Sequence, residues 1–196
     1  MSNYTVDTLE LGQFTTESGE TIQNLKLKYE HVGYPGQPLA LVCHALTGNH
    51  LTYGTDEHPG WWREIIDGGY MPINDYQFLT FNVIGSPFGS SSKHNDPHFP
   101  DHLTLRDIVR ALEKGIEALG FNKIDILIGG SLGGMQALEL LYNRRFQVDK
   151  AVILAATDKT SSYSCAFNEI ARQAIHIGGK EGLSIARQLG FLTYRS

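Results

Sequence analysis

Gly129-Gly130-Ser131-Leu132-Gly133 sets a serine between two glycines at the spacing G-x-S-x-G. That spacing belongs to a nucleophile elbow, a turn from strand to helix so tight that a side chain two residues to either side of the serine would collide with backbone. A serine held there exposes its hydroxyl at a helix N-terminus, where developing negative charge is favoured, and the N–H of the next residue, Leu132, is aimed at an oxyanion. The chemistry would be nucleophilic attack by the serine hydroxyl on a carbonyl whose developing oxyanion that N–H receives. Alone the match is weak: with 21 glycines in 196 residues, chance supplies about 0.14 such matches. The competing reading is a glycine-rich turn in which Ser131 only caps a helix. A phosphate-binding loop is disfavoured, because no Lys follows the glycines and the spacing G-x-G-x-x-G is not met around Ser131.

An elbow needs a strand before it and a helix after it, and the flanking sequence offers both. KIDILIGG at 123–130 is a β-branched run ending in glycines, LGGMQALELLYNRR reads as a helix, and VDKAVILAA reads as another buried strand. Residues 123–155 therefore form a β/α/β unit with a right-handed crossover. Upstream, LALVCHA at 39–45 and QFLTFNVIG at 77–85 are continuous apolar runs of strand length, as expected of central strands covered on both faces. IQNLKLKYEHV at 22–32 alternates like a half-buried antiparallel strand and ends at a Gly/Pro turn. Leu105, Ile108, Val109, Leu112, Ile116 and Leu119 draw one stripe down a helix, with Thr104 and Asp107 as a capping box and Gly120 as a left-handed C-cap. The sum is an α/β fold with a mostly parallel sheet and flanking helices, read as a single domain over 1–196. In such sites a second oxyanion donor comes from the loop after an earlier strand, which makes the backbone of Leu46 in His44-Ala45-Leu46-Thr47-Gly48 a reasonable candidate, although the segment taken alone reads as an ordinary turn ended by Gly48.

Charge and composition narrow the partners. Sixteen Lys and Arg against 21 Asp and Glu give a net charge of -5, so no broad basic face is available for nucleic acid or an anionic membrane. A small-molecule substrate is expected. No apolar stretch approaches the roughly 20 residues of a membrane span, and the N-terminus lacks the basic start and apolar core of a signal peptide. Cys43 and Cys165 are far apart and outside any metal-ligand spacing, and read as reduced thiols. His94, His98 and His102 stand four apart, but Pro97 and Pro100 interrupt any helix that would align them, so a solvated loop is expected and no metal site. His50 and His58 read as loop residues without a partner, and Trp61 and Trp62 as packing anchors.

Seven ordered motifs then carry a resemblance: HALTG at 44–48, HPGWW at 58–62, FNVIGSPFGSS at 81–91, LTLRDIV at 103–109, GGSLGGMQALE at 129–139, FNEIARQAI at 167–175 and GLSIARQLGFLTYRS at 182–196. Together they resemble the homoserine O-acetyltransferases of methionine biosynthesis, acyltransferases with the α/β-hydrolase fold. The resemblance implies that Ser131 is the nucleophile, that Leu46 and Leu132 supply the oxyanion N–H groups, and that Arg172 grips the substrate carboxylate. It implies acetyl-CoA as co-substrate, L-homoserine as acceptor, no tightly bound cofactor and a homodimer; the cytoplasmic location is expected from the N-terminus and the lack of a membrane span. FNVIGSPFGSS departs from the family's usual form of that motif. Transfer of succinyl to homoserine or of acetyl to serine, an esterase or thioesterase on the same scaffold, and an inactive fragment therefore stand as alternatives.

A serine hydroxyl needs a base, and in this fold the triad runs Ser, then Asp or Glu, then His. After Ser131 the sequence holds one histidine, His176, in a helix-like segment, with Asp158 just beyond a strand as a candidate acid. The family brings both partners from later strands. The resemblance thus implies a chain that ends before the lid and the last strands, without the catalytic Asp and His.

Overall fold

The computed structural model describes residues 3–194. They form two compact units, one running to Ala156 and the other starting at Thr157.

In the first unit the chain lays down β1 (Asn3–Glu10), the short hairpin β2 (Phe14–Thr15) and β3 (Thr21–Ile22), β4 (Lys26–Gly33), β5 (Leu39–Cys43), α1 (Arg63–Asp67), β6 (Gln77–Phe81), α2 (Leu105–Ala118), β7 (Lys123–Gly130), α3 (Leu132–Asn143) and β8 (Gln147–Leu154). Among the described residues six strands make one sheet in the order β1-β4-β6-β5-β7-β8. The β1/β4 and β4/β6 pairs are antiparallel; β6, β5, β7 and β8 run parallel. The expected mostly parallel α/β sheet is present; the antiparallel strand read over 22–32 is found at 26–33, Ile22 belonging instead to the β2/β3 hairpin. Strands β1, β2 and β3 are additions that the sequence reading passed over.

The alternation of side chains across the sheet divides the core in two. Leu39, Leu41 and Cys43 of β5 join Leu79 and Phe81 of β6 and Leu27 and Tyr29 of β4 against Val109, Leu112 and Ile116 of α2 and Ala137 and Leu140 of α3. Ala40, Val42, Val32 and Phe78 face the other way, onto Ile66 of α1, with Tyr53 and Trp62 packed against them. Two covered faces explain why all five residues of β5 are buried. The predicted capping box of α2 is complete, with the Thr104 side chain accepting from Asp107 N–H and the Asp107 side chain from Thr104 N–H, and Gly120 follows at φ 81°.

One expectation is corrected. Strand β8 is not buried: it lies last in the sheet order with β7 alone beside it, and Val152 and Leu154 are 42% and 49% exposed. Apolar composition reports what a strand is able to bury, not what covers it.

The second unit holds α4 (Ser162–Tyr194), two helical segments joined where Gly179 leaves helical geometry at φ 51°, ψ -119°. No helix among the described residues is long and apolar enough to cross a membrane.

Candidate active site

Strand β7 delivers the chain to Gly130, and the next residue turns it. Ser131 adopts φ 54°, ψ -122°, a region that costs a non-glycine residue about 1–3 kcal/mol and persists only where the surroundings enforce it. The enforcement is visible on both sides. Ser131 N–H donates to Leu154 O of β8 at 2.9 Å, and Ser131 O accepts from Met135 N–H of α3 at 3.1 Å. A Cβ on Gly129 would lie 2.1 Å from Gly133 O, and one on Gly133 would lie 2.0 Å from Cys43 O. Helix α3 is thus pressed so closely on β7 and β5 that only glycine fits at the two motif positions. The Ser131 side chain makes no capping bond and the residue is exposed, so the capping reading gives way to a free hydroxyl on a strained turn.

Strand β5 ends level with this turn, Cys43 pairing with Gly129. The loop His44-Ala45-Leu46-Thr47-Gly48 therefore leaves the sheet beside the start of α3. Its root is fixed by Gln136 of α3, whose Nε2 donates to His44 O at 3.2 Å. The Leu46 side chain is 76% exposed. The N–H groups of Leu46 and of Leu132, the first residue of α3, have no acceptor among the described residues, as required of donors kept for an oxyanion.

Buried titratable groups cluster near this loop. His44 is fully buried, and desolvation lowers its pKa. His50, read from sequence as a loop residue, is also buried; desolvation, with Lys28 and His44 nearby, pushes its pKa down to about 4. Burial pushes the Cys43 thiol up to about 12, which leaves it inert. Glu30 of β4 is buried with a raised pKa, desolvation outweighing the backbone N–H groups of Tyr53, Gly54 and Thr52 that favour its carboxylate.

The two histidines predict a pH dependence. In the unfolded chain an imidazole takes its proton as pH falls through about 6.5; in the folded protein His50 resists protonation until about pH 4. Between those values the unfolded state binds more protons, so the contribution of His50 is complete above about pH 6.5 and is lost as pH falls toward 4, and His44, lowered by burial, acts in the same sense. Across this window the melting temperature of the wild type should fall relative to that of His50→Gln, which lacks the titrating ring. Glu30, whose raised pKa acts in the opposite sense, is common to both proteins, so parallel profiles for wild type and His50→Gln from about pH 7 to 4 would contradict the burial of the His50 ring.

Other predicted residues belong to other elements. Arg172 is on α4 of the second unit, exposed and ion-paired with Glu169 one turn before it. His176 is exposed on the same helix, and Asp158 is exposed in the bend that precedes it. His94, His98 and His102 lie in turns and loop as expected. The Trp61 and Trp62 rings lie 4.9 Å apart and tilted by 52°, Trp62 against the core while Trp61 remains 40% exposed. A cleft of about 440 Å³ between α2 and α3 is lined by Arg106, Arg110, Glu113, Glu139, Asn143 and Arg145. Its charges pair internally, Arg106 with Glu139 at 3.2 Å and Arg145 with Glu113 at 3.9 Å, and its residues belong neither to the elbow turn nor to the 44–48 loop. Sequence reading gave no role to His44, Gln136 or Glu30. A charge inside the alternating strand at Glu30 was the one available signal.

Comparison with known proteins agrees with the motifs. A homoserine O-acetyltransferase of Methanobrevibacter ruminantium is 36% identical over 91% of this chain and 42% of its own length. A homoserine O-succinyltransferase of Halothiobacillus neapolitanus is also 36% identical, over 92% of this chain and 52% of its own. The crystal structure of homoserine O-acetyltransferase from Staphylococcus aureus matches with 82% identity and a TM-score of 0.93, covering 99% of this chain and 59% of that one. The chain spans about half the length of the curated relatives it matches. A family model described as alpha/beta hydrolase fold matches residues 38–177, and a match running through so much of the chain makes it a member of the α/β-hydrolase fold family.

Proposed function

We propose that this protein moves an acetyl group from acetyl-CoA to the hydroxyl of L-homoserine in methionine biosynthesis, through an acetyl ester on Ser131. The observation that carries the reading is the exposed, uncapped Ser131 at φ 54° between β7 and α3, in a chain whose relatives include named homoserine O-acetyltransferases. Ser131 Oγ attacks the thioester carbonyl and loses its proton to a base. The N–H groups of Leu46 and Leu132 hold the oxyanion, and its collapse expels CoA as the thiol once the proton is returned. The homoserine hydroxyl then attacks the acetyl-serine, and the ester passes to it while Ser131 recovers its proton. Both imidazole nitrogens of His44 are already engaged, so that ring is not the base. Arg172 is proposed to receive the substrate carboxylate in exchange for Glu169, since a guanidinium offers two parallel donors.

Succinyl transfer is the second reading, because a succinyltransferase matches at the same 36% identity. One experiment separates them. This chain, and a chimera joining it to the part of the Staphylococcus aureus protein that it does not cover, are incubated with acetyl-CoA or succinyl-CoA and analysed by peptide mass spectrometry. The expected result is an acetyl adduct on Ser131 in the chimera, lost in Ser131→Ala and discharged by homoserine. In Arg172→Ala the adduct should form normally while the homoserine KM rises about tenfold to a hundredfold, the worth of one lost charged hydrogen-bond pair. No adduct from either thioester overturns acyl transfer; a succinyl adduct alone replaces the donor.

A further inference from the structure

The peptide joining Ala45 to Leu46 carries both the Ala45 carbonyl and the Leu46 N–H. It is trans, so the two groups point in opposite directions in one plane, and whatever holds the carbonyl aims the N–H. Two donors hold it. His44 Nδ1 lies 2.7 Å from Ala45 O, and Gly48 N–H donates to the same oxygen at 2.9 Å.

The ring is fixed from its far end as well. Val83 N–H, in the loop after β6, donates to His44 Nε2 at 3.1 Å. A nitrogen that accepts from an N–H carries no proton, so the proton of the neutral ring is on Nδ1 and is given to Ala45 O. Full burial of His44 removes water as a competing partner. The preceding peptide is clamped separately, by Gln136 Nε2 on His44 O, and α3 lies so close that a Cβ on Gly133 would be 2.9 Å from that same oxygen. Helix α3 also carries the Leu132 N–H, so the two donors share one support.

We propose that His44 is a positioning residue, whose Nδ1–H orients and polarises the Ala45–Leu46 peptide so that the Leu46 N–H stands preset for the oxyanion formed at Ser131. The proposal rests on the acyl-transfer reading. Two hydrogen bonds on the carbonyl make the N–H at the other end of the same peptide a stronger donor, since linked hydrogen bonds polarise one another. Preset donors need no reorganisation when charge develops.

Substitutions distinguish this from a structural tie between the loops. The Asn amide nitrogen sits on Cγ as Nδ1 does, so His44→Asn keeps the donor to Ala45 and gives up Val83. His44→Gln reaches the Nε2 position and keeps an acceptor for Val83 while giving up Ala45. His44→Phe gives up both. Single-turnover acetylation of Ser131 in the proteins described above should fall about a hundredfold in Phe and Gln and stay within about tenfold of wild type in Asn, the loss expected for one misaimed oxyanion donor. A rate order with Gln above Asn, or Phe equal to wild type, overturns the proposal while leaving acyl transfer standing. A wild type that takes no acetyl group overturns acyl transfer itself, and the proposal with it. Should the variants fold poorly, imidazole nitrogen NMR on the wild type decides: protonated Nδ1 with accepting Nε2 supports the proposal, and the opposite tautomer ends it.

Discussion

Gly133→Ala should lower the melting temperature by about 6–12 °C, the shift that about 3 kcal/mol produces at this chain length. The added Cβ would stand 2.0 Å from Cys43 O, 2.7 Å from Cys43 C and 2.9 Å from His44 O. All three atoms are backbone at the end of β5, which is hydrogen-bonded to a neighbour strand on each side, so none can swing away as a side-chain tip would. Either α3 lifts from the sheet or the end of β5 is displaced. Both movements separate the Leu132 and Leu46 N–H groups, so acetylation of Ser131 should be lost even below the melting point. Gly130→Ala is the control within the same motif. Its Cβ would meet nothing closer than Leu154 Cβ and O at 3.9 Å, and the change should stay within about 0.5 kcal/mol of wild type. Thermal melts of the two variants test the pair, and equal melting temperatures would contradict the close approach of α3 to β5.

This contrast explains why the elbow was legible in sequence. A close approach of backbone to backbone leaves glycine as the sole solution, and two glycines flanking a serine between strand and helix encode that approach directly. Helix α2 was legible for a similar reason: its stripe and its Thr104–Asp107 box are local, within one helix. The five apolar residues of β5 announced a strand covered on both faces. Strand β1 carried only a weak alternation with few apolar residues. Tyr4, Val6 and Thr8 alternate with polar residues, it pairs with β4 alone, and Tyr4 and Val6 remain 39% and 37% exposed. Nothing in an eight-residue stretch of mixed polarity separates an edge strand from a loop. Strand β8 failed in the opposite sense, an apolar run that is left largely uncovered.

The polar supports of the site were illegible because their partners are distant in sequence. His44 reaches Val83 39 residues away, and Gln136 reaches His44 across 92. Each bond ends on a backbone N–H or carbonyl, which every residue possesses, so no residue type at the far end betrays it. The HALTG segment pointed to a loop with a donor; that its own histidine aims the donor required the fold. Arg172 was named through family resemblance, and on α4 its partner is Glu169, the pairing expected of any Arg three residues after a Glu on a helix.

Glu30→Ala should cost about 4 kcal/mol, near 8–16 °C in melting temperature. Glu30 is 1% exposed. Its Oε2 accepts from Thr52 N–H at 2.7 Å and Tyr53 N–H at 2.8 Å, and its Oε1 from Gly54 N–H at 2.7 Å. Those three residues begin the fold of the segment that leads into α1, closed by Gly60 N–H on Tyr53 O and Trp62 N–H on Thr52 O and joined to β6 by the Thr52–Thr80 hydroxyl pair at 2.6 Å. Removing the carboxylate strands three backbone donors, each costing about 1–3 kcal/mol when buried without an acceptor, and releases the Tyr4 hydroxyl that also bonds to it; water entering the vacated space recovers part of the cost. Glu30→Gln keeps one acceptor oxygen but turns an NH2 toward backbone N–H groups, so its loss should fall between Ala and wild type even though it removes a buried charge. Trp62, packed on the core beside Tyr53, supplies the local readout: in Glu30→Ala the tryptophan emission should shift to the red at temperatures where far-UV helicity is still intact. The segment begins directly after the 44–48 loop, so its loosening reaches the Leu46 N–H, and Ser131 acetylation should slow before the sheet melts. A variant that melts with wild type and keeps its emission would mean that the three amides find other acceptors, and that Glu30 does not anchor this segment.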